Sequence, residues 1–493
     1  MATTSKLRKM LHRKSAEYCA QSAAGNTASG AFVVSDKSNM IPSHDIAYYV
    51  GGVSAIWNYN ADNDAWLQIP SSGVAGTFAA GACGEFRALS APAGTFDKTA
   101  TAGSTTTITT NLTITRDCSG YEIHVVGGSG VGYVGTITNV VMGANSILTV
   151  TPASAVAFDA TTVYRIYGGS LWFMNAGTAA VGFSVYDRIT NAWTSRSVTG
   201  LPTAWGTDAQ LVSTSGRMSN NGAGFVTGTA SSGTSTTIVD ATRTTWLNNM
   251  WVNYQVRITG GTGKGQIRVI TASTTTGTIT VGTAWTVTPD ATSTYRIEGN
   301  DDVFYLLGNN AVTMYKFTVS TNTWATIAPT VARGGALGAG GTADWIDGVT
   351  STVWQDQNVF GLLYTNTIYE QNGRYIYSFR GAASSTLDVY DIAANTWIND
   401  VQYGQKMETF TTGSCSIDLD GNIYIQKEAT GRIYRFDVAK NVLEPYVWNP
   451  NPQGTAVAGD KMFITTYSDG GDKINFLYTL PHTRAELVRW VMI

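Results

Sequence analysis

Charge is scarce in this chain. Of 493 residues, 13% are Asp, Glu, Lys or Arg, about half the usual share of roughly 25%. The net charge of −3 offers nothing for a phosphate backbone, so no specific nucleic-acid partner is expected. Cysteine is scarcer still. Cys19, Cys83, Cys118 and Cys415 lie far apart and form no CxxC pair, which excludes a zinc ribbon and a thioredoxin-like site. Scattered reduced thiols fit synthesis in a cytoplasm. No run approaches the ~18 apolar residues of a membrane helix. The first twenty residues carry charges where a signal peptide has its apolar core, so neither a membrane nor classical secretion is expected. The four histidines, His12, His44, His124 and His482, are too dispersed to suggest a metal site, and no GxSxG motif accompanies them. A paired-carboxylate glycosidase needs no adjacent acids, but most of the 34 acidic residues sit in turn-like contexts. The expectation is therefore a chain with no cofactor, no metal and no catalytic residue, and not an enzyme.

What the chain has is 43% apolar and 11% aromatic residues, 53 glycines, and much Thr, Ser, Ala and Asn. This is the composition of β-rich structure with tight turns. Five times an aromatic residue is followed seven positions later by a large apolar one: Tyr59–Trp66, Tyr186–Trp193, Phe317–Trp324, Tyr390–Trp397 and Phe436–Leu443. The sixth residue of each unit is Asp64, Asn191, Asn322, Asn395 or Asn441. Such a residue tolerates the left-handed backbone of a tight hairpin. An apolar strand precedes each unit, at 46–52, 170–177, 302–309, 374–381 and 421–428. A sixth strand pair, 461–468 and 474–480, keeps the rhythm without the Trp. One unit thus reads as strand, turn, strand ending in an aromatic, tight turn, strand opening on Trp, then a small-residue strand. Four strands per unit make a propeller blade, and the aromatic and Trp are expected to pack between adjacent blades. The C-terminal strand 487–493 is expected to pair with 31–34 or 46–50.

Two intervals between units are too long for one blade, and a second repeat explains both. TATAGSTTTI (99–108) matches TASSGTSTTI (229–238), residues 121–137 match 254–270, and FDATTVYRI (158–166) matches PDATSTYRI (289–297). These are small β-modules inserted at one place in successive blades. Residues 333–372 form a third, unrelated long connection. At the N-terminus, residues 4–20 have helical spacing, with Leu7, Met10, Leu11 and Tyr18 near one face, and Lys6, Arg8, Lys9, Arg13 and Lys14 make the segment basic. A solvated arm and an arm docked on a neighbouring subunit both fit this pattern.

Two motif matches fail on context. GVGYVG (Gly130, Gly132, Gly135) fits GxGxxG, but its second copy reads GKGQIR and β-residues follow where a helix must start. Asp418, Asp420 and Asn422 resemble a calcium loop, but the glycine comes too early and a DG hairpin turn explains them.

The YD…N.W pattern, with Gly51–Gly52 closing one first strand, resembles kelch-type β-propellers. The inserted modules resemble short β-modules of tailed-bacteriophage structural proteins. The resemblance implies an all-β fold: a kelch-like β-propeller of about six blades, two inserted β-modules and a short N-terminal helical arm. The expected division is 1–30 basic arm, 31–95 first propeller part, 96–168 first module, 169–225 blade, 226–298 second module and 299–493 remaining blades. The implied function is a structural component of the phage virion, in a nozzle-like tail or neck assembly, made in the host cytoplasm. The implied partners are connector, tail or capsid subunits and further copies in a ring. Alternatives are a capsid-decorating or spike protein, and an adhesin for host surface glycan. Blade tryptophans Trp66, Trp193, Trp324 and Trp397 are expected in the core. The candidate contact surface is Lys6, Arg8, Lys9, Arg13 and Lys14 with Trp246, Trp251, Trp285, Trp345 and Trp354.

Overall fold

The computed structural model describes residues 17–18, 32–35, 45–50, 56–60, 65–78, 82–175, 182–203, 205–206, 209–214, 226–246, 248–308, 311–338, 341–345, 375–382, 384–401, 415–419, 422–427, 432–437, 442–448, 461–469, 472–480 and 488–492. Among these residues there is no α-helix. One short 3-10 turn, Pro92–Gly94, interrupts an otherwise all-β chain. Small antiparallel sheets stand in a propeller-like arrangement.

Four-stranded sheets occur six times. The first runs Phe32–Ser35, Asp45–Val50, Ile56–Asn60, Ala65–Ile69, and the second Cys83–Arg87, Ser170–Met174, Phe183–Asp187, Ala192–Arg196. The third is Gln210–Ser213, Val303–Leu307, Met314–Thr318, Thr323–Ile327, and the fourth Thr342–Trp345, Tyr375–Gly381, Ser384–Asp391, Thr396–Val401. The fifth is Cys415–Leu419, Asn422–Lys427, Arg432–Asp437, Val442–Trp448. The sixth starts with Lys461–Asp469, Asp472–Leu480 and Val488–Met492, and takes Glu17–Tyr18 as its outer strand. The first strand of every sheet lies beside the first strands of its two neighbours, and 461–469 returns beside 32–35.

The repeated aromatic and apolar residues are cross-strand partners on the third and fourth strands: Tyr59 faces Trp66, Tyr186 faces Trp193, Phe317 faces Trp324, Tyr390 faces Trp397 and Phe436 faces Leu443. Ring centroids in the four aromatic pairs stand 5.1–5.2 Å apart, the tilted geometry that adds to area burial. Between the partners, Asn191, Asn322 and Asn395 turn the chain at φ of 50°, 55° and 48°, the region that Asn enters at least cost. Asn191 and Asn395 also accept from the paired tyrosine hydroxyls at 2.6 and 2.7 Å.

These units reach the preceding sheet. The Trp193 indole donates to Pro70 O at 2.7 Å, just past the outer strand of the first sheet. Ser197, just past the second sheet, is held at both backbone groups. Its N–H donates to Asn322 Oδ1 at 3.0 Å and its carbonyl accepts from Trp324 Nε1 at 3.0 Å. Asn395 donates in the same sense to Ala328 O at 3.0 Å, past the third sheet. The turn and the tryptophan thus pin the segment that leaves the preceding sheet by giving its backbone groups fixed partners. Phe183 of the second sheet packs on Phe317 and Trp324 of the third, at 4.8 and 5.2 Å between centroids.

Several expectations need correction. Within the span 4–20, where a helix was expected, Glu17–Tyr18 is a strand, because the open edge of Val488–Met492 supplies inter-strand partners there; Lys6, Arg8, Lys9, Arg13 and Lys14 lie outside the described residues. The C-terminal strand pairs with Asp472–Leu480 and Glu17–Tyr18, not with 31–34 or 46–50. The small-residue strand assigned to the end of each unit is the first strand of the next sheet, as Cys83–Arg87 and Gln210–Ser213 show. Residues 333–372 are not one connection, since Thr342–Trp345 within them opens the fourth sheet.

Trp324→Ala is expected to destabilise the protein by about 3–5 kcal/mol, through lost ring burial and the lost tie to the Ser197 carbonyl. Asn322→Ala is expected to cost about 1–3 kcal/mol through the strained turn and the lost Ser197 contact. Denaturant unfolding of both variants checks the order.

Candidate functional site: the paired inserted modules

Both modules leave the scaffold at the same connection, between the first and second strands of a sheet. The second sheet opens between Arg87 and Ser170, and the third between Ser213 and Val303. The first module is a closed barrel of Lys98–Gly103, Thr107–Thr110, Glu122–Gly127, Val134–Val141, Ile147–Thr151 and Val163–Ile166. The second is a seven-stranded sheet of Thr227–Thr229, Ser232–Gly233, Thr237–Val239, Gln255–Gly260, Ile267–Ser273, Thr278–Val281 and Thr294–Glu298. Alternation along these strands buries one face, as in Thr278–Val281, where Ile279 and Val281 point inward. In both copies the GxGxxG-like segment is the hairpin between two antiparallel strands.

Arg87 ties the stem of the first module to that of the second. Its guanidinium donates to Asn300 O at 3.4 Å and to Val303 O, and lies 4.2 Å over the Phe304 ring. Burial pushes its pKa down to about 10 against the opposing pull of Asp301, Glu85 and Asp302. A carboxylate turn repeats in both modules. Asp159 accepts from Thr161 N and Oγ1 at 2.7 and 2.6 Å, and Asp290 accepts from Thr292 N and Oγ1 at 2.8 and 2.6 Å. Hydroxyl donors, Ser129 first for Asp159 and Thr292 first for Asp290, hold both carboxyls below the usual range.

The modules touch through equivalent residues. Gly132 corresponds to Gly265 and His124 to Arg257 in the repeat. A Cβ on Gly132 would stand 2.1 Å from the Lys264 carbonyl oxygen, and one on Gly265 would stand 2.8 Å from the Gly132 Cα. Both glycines have positive φ, +87° and +90°. Backbone thus meets backbone, and glycine alone allows the approach. Beside them, Arg257 Nη1 lies 3.2 Å from His124 Nδ1. Equivalent residues of the two copies therefore meet each other across the seam.

Charge at the seam is paired. Arg257 Nη2 is 2.6 Å from Glu298 Oε1, whose carboxylate also takes Arg296 at 3.0 Å and Gln255 Nε2 at 3.0 Å. Gln255 continues to Asp301 at 2.9 Å. Glu298, Arg257, Gln255 and Asp301 are all buried.

The structure redistributes the aromatic candidates. Trp246, Trp251 and Trp285 are buried in the core of the second module with Ile238, Val256, Ile258 and Ile279, so they form no exposed surface. Trp345 is buried between the third and fourth sheets with Val212, Tyr305 and Trp397. Trp354 lies outside the described residues; of the blade tryptophans, Trp193, Trp324 and Trp397 are core, whereas Trp66, also expected there, is only half-buried. The two modules differ in their cores: where the second has Trp251, the first has Cys118, fully buried with its thiol pushed up to about 12 by burial. Trp residues in short polar segments read equally as surface or core, and no spacing rule separated them.

Exposed apolar residues are what sequence reading missed. Among the described residues, Val141, Met142, Val156, Val269 and Val287 on the modules are exposed, with Leu67, Val312 and Val331 elsewhere. Val156 and Val287 occupy equivalent repeat positions. Among the described residues, no group of three or more His, Cys, Asp or Glu is placed to hold a metal ion. Among the described residues, no helix is long and apolar enough to cross a membrane.

No family model matches the chain, and no curated protein does. Among solved structures, YCF48 bound to a D1 peptide is similar at a TM-score of 0.32 and 7% identity, covering 98% of this chain and 97% of that one. The endosialidase of phage phi92 is similar at 0.27 and 9% identity, covering 97% and 69%. An auxiliary nutrient-binding protein of Bacteroides thetaiotaomicron is similar at 0.23 and 9%, covering 83% and 85%. Likeness at this level carries no functional argument.

Gly132→Ala with Gly265→Ala is expected to destabilise the protein by about 2–4 kcal/mol, through overpacking at the seam and positive φ. Thermal unfolding checks this, and an unchanged midpoint would show that the two hairpins do not need to touch.

Proposed function

We propose that this protein is a structural component of a tailed-phage virion that acts through protein–protein contacts. The six sheets, with their first strands adjacent in a cycle, are read as a six-bladed, kelch-like propeller serving as a rigid scaffold. The location inferred is a nozzle-like tail or neck assembly, with copies arranged in a ring. One observation carries the reading: both modules rise from the same connection of successive sheets, pack on each other, and carry five of the eight exposed large apolar side chains. Val141 and Met142, adjacent in sequence and each more than half exposed, are apolar side chains available to a neighbouring subunit. The low charge of the chain suits extensive packing against other subunits. Burial of Trp246, Trp251 and Trp285 removes the stacking residues on which a glycan-binding reading rested.

The contact surface is accordingly placed at Val141, Met142 and Val156, with the basic arm as a second contact. Particles assembled with Val141→Asp, Met142→Asp and Val156→Asp together are expected to incorporate the protein at least about tenfold less, while the purified variant unfolds normally. Full incorporation would sink the module contact. For the arm, truncation should stop at residue 15, because a longer deletion removes the strand Glu17–Tyr18 from the sixth sheet. Loss of incorporation with an intact fold is expected from that truncation, and normal particles would count against the arm.

A further inference from the structure

The seam between the modules holds a histidine whose two ring nitrogens have opposite duties. His124 Nε2 faces Glu122 Oε1, and Nδ1 faces Arg257 Nη1 at 3.2 Å. A carboxylate accepts and a guanidinium donates. The pattern therefore requires a proton on Nε2 and a lone pair on Nδ1, which is the neutral imidazole in one tautomer. Arg257 comes from the other module, so this hydrogen bond crosses the seam. Both side chains are almost fully buried, at 4% and 5% exposure, while Glu122 is 36% exposed and gives protons a way in.

We propose that the His124–Arg257 contact is an acid-sensitive latch between the two modules. Taking up a proton on Nδ1 destroys the acceptor that Arg257 uses and sets two cations 3.2 Å apart in a buried place. The surrounding groups are already committed. Arg257 is paired with Glu298, which also holds Arg296 and Gln255, and Gln255 holds Asp301. Arg165 faces His124 across the paired strand and is bound to Asp97, and Arg268 of the second module feels both. Tyr167 packs edge-on against the imidazole at 4.9 Å. Glu122 is the carboxylate within reach of the imidazolium, and it belongs to the first module. Opening the seam therefore keeps Glu122 beside His124 while removing Arg257. The open arrangement binds the proton better than the closed one. By linkage, closure is complete above the ordinary histidine pKa of about 6.5 and weakens as pH falls through it.

The repeat gives the latch its polarity. The equivalent position in the second module is Arg257, and the equivalent of Glu122 is Gln255. One copy of the strand presents an acceptor that can be switched off, and the other presents a donor with a permanent charge.

The test is hydrogen–deuterium exchange of the full chain, corrected for intrinsic pH dependence, read at residues 122–134 and 255–267. Exchange there is expected to rise about tenfold between pH 7.5 and 5.5, with the sheet strands 170–174 and 303–307 unchanged. In His124→Gln the amide donates to Glu122 and accepts from Arg257 without titrating, so the rise should vanish and protection at pH 7.5 should persist. Glu122→Gln, at a partly exposed site that tolerates the change, should move the transition to lower pH, because the imidazolium loses its counter-charge. A wild-type seam indifferent to pH overturns the latch. So does His124→Gln with the wild-type pH response, or Glu122→Gln with its transition unmoved or raised.

Discussion

Everything in this fold depends on a backbone problem solved the same way several times. Sheets that pack face to face must be held in register by the chain segments that link them, and the backbone groups of those segments are the handles available. Asn322 and Trp324 answer this together by holding both backbone groups of Ser197. Trp193 does half of the same work at Pro70, and Asn395 does it at Ala328. The asparagine makes the turn, its side chain reaches back, and the indole both fills the gap and donates. A single seven-residue spacing thus fixes a hairpin, a core contact and the stacking of one sheet on the next.

With the sheets fixed this way, the link between first and second strands is the place that tolerates length. It does not carry the turn or the tryptophan. Both modules use it, and the fourth sheet opens at the same point between Trp345 and Tyr375. Because successive sheets are related by rotation, modules inserted at one link are brought side by side automatically. Their contact then needs little: close glycine backbones, one cross-module hydrogen bond and a paired charge network around Glu298.

The sequence was legible where a residue type had one physical job. The aromatic–x6–Trp spacing read directly as cross-strand partners, because the hairpin turn demanded Asn and the pairing demanded large rings. It was illegible where the job belonged to a partner far along the chain. Tyr18 falls on the helical face with Leu7, Met10 and Leu11 in sequence, but a strand edge more than 450 residues away decides its conformation. The phase of the four-stranded unit was misread for the same reason, since nothing local tells a strand which of two flanking hairpins it joins. At the modules, Trp246, Trp251 and Trp285 lie in turns and loops between the strands, and their rings are buried against apolar residues far from them in sequence, such as Val256, Ile258 and Ile297, so no local spacing marks them as core. The seam was unreadable altogether: His124 and Arg257 are 133 positions apart, and neither has a motif around it.

The outermost strand of the sixth sheet has a mechanical meaning. Glu17 pairs with Arg489 and Tyr18 with Val488, and these are the residue pairs by which the beginning of the chain holds its end. A pull applied between Glu17 and Met492 would fall on this short ladder before any load reached the other five sheets. In an assembly that transmits force, the molecule would therefore yield first at its own suture and leave the stacked sheets unstrained.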